Sequence, residues 1–133
     1  MDLALSFLYR STANASYYNA GAYCLWAGAS LGLLAMIAGL IDLIASPRSN
    51  KKALALGLYH GFVNGLLILV FTVIAYKSWQ VFPLPFFVGT AGVVTKGILV
   101  IALFVGNYLG GQLIYRYHIG LNEKKQADGS LTT

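Results

Sequence analysis

Few side chains of this chain could bind a metal, transfer a proton or hold a cofactor. Its 133 residues include two histidines, His60 and His118, one cysteine and four acidic residues. None of them has a spacing typical of a zinc or di-iron site, and no phosphate-binding loop or nucleophile–base pair is recognisable. The sequence therefore predicts no metal centre and no catalytic residue, which favours a non-enzymatic role.

His60 is the sharpest candidate for a bound group. It lies about two turns inside an apolar segment, with Asn64 one turn deeper on the same helical face. The residues predicted to lie level with it are Gly39, Gly110 and Gly111. Glycine opposite an imidazole leaves either tight backbone contact or a slot for a flat cofactor. His60 is then a structural histidine, hydrogen-bonded to Asn64, a tyrosine hydroxyl or a carbonyl, or it is a haem b ligand, for which His118 is the second histidine.

Four further polar residues form a predicted polar set: Asp42, Asn64, Lys96 and Arg116. Lys96 lies about 30 Å from Arg116 by residue count, near one membrane boundary, so we expect its side chain to snorkel. An ion-coupled or ligand-binding lysine is the alternative. Asp42 and Arg116 fall on the same side, where they form an ion pair or act as separate anchors.

Three long apolar segments must position these side chains, at about residues 20–45, 53–76 and 86–116. Each exceeds the ~20 residues that a helix needs to cross a bilayer, and the composition agrees, with 58% hydrophobic and 10% charged residues and a mean hydropathy of +0.70. We predict an all-α integral membrane bundle of three transmembrane helices over residues 18–121. An N-terminal interfacial or remnant helix segment (1–17) precedes it, and a flexible tail (122–133) follows.

The net charge of +5 could suggest nucleic acid, but the basic residues flank the apolar segments instead of forming one basic surface. They therefore indicate membrane topology, and no nucleic-acid partner is expected. The basic residues predicted on one side are Arg48, Lys51, Lys52, Arg116, Lys124 and Lys125, against Arg10 and Lys77 on the other. The positive-inside rule places the first group, and with it the C-terminus, in the cytoplasm.

Glycines recur at helical spacing in all three segments, often as G-x-x-x-G. In lipid, such small residues allow the close backbone approach that holds helices together. We therefore predict helix packing, within the chain or between chains, at Gly28, Gly32, Gly39, Gly57, Gly61, Gly106, Gly110 and Gly111.

Three sequence phrases occur in a fixed order: AGLIDL at 38–43, LYHGFVN at 58–64 and GGQLIYRYHIG at 110–120. Together they resemble the bacterial membrane family catalogued as domain of unknown function 2231, over about residues 17–121. The resemblance implies a multi-pass inner-membrane protein with four helices. Some members are fused to Rieske-type ferredoxin domains or paired with them.

The chain departs from the family pattern at its N-terminus. It lacks iron–sulfur ligands and the family's usual first helix with a histidine–proline motif. Residues 2–9 look like the cytoplasmic end of that helix, which questions whether Met1 is the natural start. If the helix is absent by design, we expect a partner or a second copy to fill its place; if it was lost to a wrong start codon, a haem ligand is expected to be lost with it.

The predicted function is a membrane anchor or small subunit of a larger membrane assembly, as a homo-oligomer or with other membrane subunits. One alternative is a haem- or cofactor-binding electron-transfer protein that works with a Rieske-type ferredoxin, as the family implies. Another is an oligomeric transporter or proton pathway lined by Lys96, Asn64, His60 and Asp42.

Overall fold

The computed structural model describes residues 1–45 and 51–117, and its regular structure there is α-helical. The helices are α1 (Asp2–Thr12), α2 (Ala15–Ala45), α3 (Lys51–Val81) and α4 (Thr90–Tyr117). α2, α3 and α4 are each long and apolar enough to cross a membrane. The predicted all-α membrane bundle with three spans is confirmed.

The long helices differ from the predicted spans mainly at one end of the bundle. α2 begins at Ala15 and α3 continues to Val81, whereas α4 begins at Thr90, four residues after the predicted start at 86. Pro83 and Pro85 keep the connection between α3 and α4 out of a helix, because proline lacks the backbone N–H that a helix uses. The Phe82–Pro83 peptide bond in this connection is cis.

A tight turn joins α1 to α2. Ala13 adopts a left-handed conformation with φ 54°, and its N–H donates to the Tyr9 carbonyl at 2.7 Å. The Asn14 carboxamide then accepts from the Ser16 N–H at 2.9 Å, which caps the start of α2. The chain reverses direction within two residues, so α1 packs back along α2.

The four helices are arranged so that the two ends of the bundle differ. α1 packs on α2 and α4, α2 packs on α3, and α3 packs on α4. We name the end where α2 and α4 begin the Thr90 end, and the end where α3 begins the Lys51 end. α1 is ~16 Å long beside long helices of ~42–46 Å, so four helices close a ring only at the Thr90 end.

Aromatic side chains fill much of the Thr90 end. Trp26 of α2 lies 5.3 Å from Trp79 and 5.2 Å from Phe82 between ring centroids. Tyr18, which precedes Trp26 on α2, also packs on Phe82. A small buried core is formed by Leu25, Ala29 and Ala75. Large apolar side chains elsewhere point outwards, as expected where lipid is the solvent.

Candidate functional sites

Lys96 is a buried residue in an ion pair with α1. Its Nζ lies 2.9 Å from Oδ2 of Asp2, and it donates to the Ser6 hydroxyl at 2.8 Å. Only 4% of Lys96 and 3% of Ser6 are exposed. We call Asp2, Ser6 and Lys96 the Lys96 site.

The prediction that Lys96 snorkels to the membrane boundary is wrong. A partner of opposite charge reaches it from α1, and pairing removes the drive to extend towards water. Asp2 and Ser6 lie one turn apart and therefore face α4 together. Gly21 of α2 completes the arrangement, because a Cβ there would lie 3.1 Å from the Asp2 carboxylate.

Sequence reasoning missed Asp2 and Ser6 as site residues. The available signal was Asp2, an acid at the start of a mostly apolar N-terminal stretch, together with Lys96, a base inside an apolar segment, since ionisable groups in a membrane protein are usually paired with each other. The spacing of Asp2 and Ser6 by four residues was a second signal.

A second contact fixes α1 to α4 nearer the Thr90 end. Arg10 donates through Nη1 to the Thr90 hydroxyl at 2.8 Å. Both residues are exposed. This places α1 at the Thr90 end, away from Lys51 and Lys52. Because α1 lies at the end opposite Lys51 and Lys52, the predicted orientation and the expectation that residues 2–9 resemble a cytoplasmic helix end exclude each other, and both stay predictions.

His60 and Asn64 form a second polar site between α3 and α4. The His60 Nδ1 lies 3.0 Å from the Gly106 carbonyl oxygen. Nδ1 also lies 3.0 Å from the Asn64 amide nitrogen, so it donates to the Gly106 carbonyl when it carries the proton and accepts from the Asn64 amide when it does not. The Asn64 amide donates to the backbone carbonyl of His60 at 2.9 Å. We call His60, Asn64, Gly106 and Gly110 the His60 site.

Glycine makes this contact possible. A Cβ on Gly110 would lie 2.7 Å from Cε1 of His60, and a Cβ on Gly106 would lie 2.7 Å from the Asn64 oxygen. Gly110 thus lies against His60, as residue counting predicts. Gly39 and Gly111, which were predicted level with it, have nothing within 4 Å of the position that a methyl group would occupy.

The His60 site does not fit an axial haem ligand. A carbonyl contact at Nδ1 is usual for a ligating histidine, but a Cβ on Gly110 would lie 2.7 Å from Cε1 and 3.2 Å from Nε2, so α4 lies against the edge of the ring that would face the iron. A flat cofactor there requires α4 to move away from α3. His118, the predicted second ligand, lies outside the described residues.

The predicted polar set does not form one cluster. Asn64 belongs to the His60 site and Lys96 to the Lys96 site, whereas Asp42 and Arg116 are exposed near the Lys51 end. Among residues 1–45 and 51–117, an ion pair joins Lys96 to Asp2, and the pairing of Asp42 with Arg116 stays a prediction. In the same ranges no group of His, Cys, Asp and Glu could hold a metal ion.

The predicted packing glycines divide into two groups. A methyl group on Gly57 would meet Leu43 at 3.1 Å, and one on Gly32 would overlap Ile68; Gly106 and Gly110 are equally close to their neighbours. The glycines with nothing within 4 Å are Gly28, Gly39, Gly61 and Gly111. The first group seats helices of this chain, and the second faces open space.

Three apolar helices, an ion pair within the bundle and an interhelical histidine contact together define an integral membrane helical protein. The chain belongs to the family described as predicted membrane protein (DUF2231), whose model matches residues 1–123. This match is wider than the resemblance over about residues 17–121 and includes α1. No curated protein and no solved structure gives a significant match.

Proposed function

We propose that this chain is a non-enzymatic membrane subunit that anchors or completes a larger membrane assembly. The observation that carries the proposal is the open Lys51 end. α1 does not reach this end, and in the described part of the chain no Cα atom of α2 lies within 8 Å of one in α4. Leu43 of α2 and Leu113 of α4 both lie against Gly57 of α3. The inner faces of these helices are left for another helix.

α2 shows the contrast along its own length. Five of its residues between 18 and 29 are buried, namely Tyr18, Gly21, Ala22, Leu25 and Ala29. From 31 to 44 none is buried, and all except Gly32 and Leu43 are exposed.

The exposed part of α2 is suited to helix contact. Gly28, Ala35 and Gly39 share one stripe at helical spacing, and both glycines have open space at the methyl position. Because apolar burial does not drive helices together in lipid, such a stripe favours close approach by a partner helix. The partner is a second copy of this chain or another membrane subunit.

Native mass spectrometry on the full chain, extracted from its own membrane in mild detergent, tests this proposal. We expect a complex of defined mass above the 14.3 kDa of one chain, which dissociates when Gly39→Leu blocks the stripe. Gly61→Leu is the matched control, because Gly61 also has nothing within 4 Å of its methyl position but lies on α3. A monomeric wild type, or a complex unaffected by Gly39→Leu, would contradict the proposal.

We further propose that the Lys51 end faces the cytoplasm of a bacterial inner membrane. Lys51, Lys52 and Arg116 lie at that end, against Arg10 and Lys77 at the Thr90 end, and cytoplasmic flanks carry the excess of basic residues.

Cysteine labelling in intact cells measures this orientation directly. Cys24 is exposed, so it is first replaced by serine. An impermeant maleimide should then label Lys77→Cys and not Lys51→Cys; the reverse pattern would overturn the orientation.

A further inference from the structure

An apolar groove of about 680 Å³ runs between α1 and α4 near the Thr90 end. It is shallow and largely open, with Phe7 64% exposed, and it lies within the membrane-spanning part of α4. The residues that line it are Leu3, Ala4, Phe7, Leu8, Val93 and Gly97. No lining side chain can form a hydrogen bond, so the groove suits a hydrocarbon chain.

The two helices that form the walls of the groove, α1 and α4, are joined by a polar contact at its end. On α1, Arg10 follows Phe7 by one turn, and on α4, Thr90 precedes Val93 by one turn. The Arg10 guanidinium bridges the walls by its 2.8 Å hydrogen bond to Thr90. The groove therefore has a cation at the end that lies towards the membrane surface.

Arg10 retains the capacity to bind an anion. Its hydrogen bond to Thr90 uses Nη1, and a guanidinium has five N–H donors arranged to match a phosphate in a bidentate way. The neighbouring Lys96 does not offer this charge, because Asp2 neutralises it. Arg10 is exposed, so a headgroup at the membrane surface can approach it.

We propose that this groove binds an anionic phospholipid, with one acyl chain between α1 and α4 and the phosphate on Arg10. An acyl chain is the apolar occupant available at this depth, and the guanidinium at the groove's end complements a headgroup of net negative charge. The site is separate from the α2 surface proposed for assembly.

The test titrates the delipidated full chain with phosphatidylglycerol and with phosphatidylcholine of the same acyl chains, read by native mass spectrometry. We expect phosphatidylglycerol to bind about fivefold more tightly, as one arginine near the membrane surface provides. Arg10→Gln should remove this preference and Arg10→Lys should keep part of it. Gly97→Leu should weaken both lipids by filling the groove, which its open methyl position permits without a clash.

Two matched controls separate the site from general effects. Lys77→Gln removes another exposed charge at the Thr90 end, and Gly39→Leu adds the same side chain elsewhere; neither should change lipid binding. Equal binding of the two lipids by the wild type would overturn the proposal. So would unchanged lipid binding by Gly97→Leu, or an equal loss of the preference for phosphatidylglycerol in Lys77→Gln and Arg10→Gln. Competition by glycerol phosphate as strong as that by phosphatidylglycerol would show a free-anion site and overturn the acyl-chain assignment.

Discussion

The two ends of this bundle are held together in different ways. At the Thr90 end, four helices meet around an ion pair and a cluster of aromatic rings. At the Lys51 end, α3 contacts both neighbours, but no Cα atom of α2 lies within 8 Å of one in α4 in the described ranges. Since lipid does not press apolar helices together, a membrane bundle closes where specific contacts exist and stays open where they do not.

The two polar sites also differ in the distance along the sequence between the residues that they join. The Lys96 site joins residues 94 positions apart and ties α1 to the bundle. The His60 site joins two consecutive helices through a carbonyl and two glycines. The Lys96 site therefore decides whether the four helices close into a ring. The His60 site only adjusts the packing of α3 on α4, which are neighbours because they follow each other in the chain.

Breaking the Lys96 site should give the largest effect. Lys96→Met leaves the Asp2 carboxylate without its partner, and removing one member of a buried ion pair typically costs about 3–5 kcal/mol. We expect α1 to leave α4, seen as faster amide hydrogen exchange in Asp2–Thr12 and a lower melting temperature in detergent.

The double variant Asp2→Asn with Lys96→Met should recover much of the lost stability, because no buried charge remains unpaired. Lys77→Met, at an exposed lysine of the same end, is the control and should have little effect. Unchanged exchange in α1 after Lys96→Met would show that the ion pair does not hold α1 in place.

The His60 site should respond next most strongly, to a change in its glycine. Gly110→Leu places a side chain where a methyl group would already lie 2.7 Å from His60, so α4 or the ring must shift, at about 1–3 kcal/mol. Thermal unfolding in detergent measures the loss. Gly111→Leu, one residue along with nothing within 4 Å, should have no comparable effect.

Adding His60→Ala to Gly110→Leu should restore part of this stability, because the clash is with the ring itself. If Gly110→Leu and Gly111→Leu were equally stable, the contact between α4 and His60 would not be as close as the structure shows.

Much of this architecture follows from sequence because length and hydropathy are local properties. The three spans were predicted, and so was Gly110 against His60, because both need only counting at 1.5 Å per residue. The partner of Lys96 was not found, because it depends on where α1 folds. The turn at Ala13, with its left-handed backbone, brings Asp2 back to the depth of Lys96, and no periodicity reports such a reversal.

The division of the glycines into packed and open positions could not be predicted from the sequence either. Gly32 and Gly39 are both glycines of α2, but a methyl group on Gly32 would overlap Ile68, whereas one on Gly39 would meet nothing within 4 Å. Spacing identifies residues that permit close approach. Which of them is used depends on where α1 ends and on how the long helices diverge, and these are properties of the assembled bundle.

The smallest expected effect is that of His60→Ala. It removes the hydrogen bond to Gly106, and such interhelical bonds contribute about 0.6 kcal/mol on average and at most about 1.7 kcal/mol. We expect a slight fall in melting temperature and the same visible spectrum as the wild type before and after dithionite reduction. Haem bands present in the wild type and lost in His60→Ala would instead require α4 to stand away from His60. Such bands would show that the contact between His60 and α4 opens to admit a cofactor. The two ends of the bundle would then differ in their chemistry as well as in their packing.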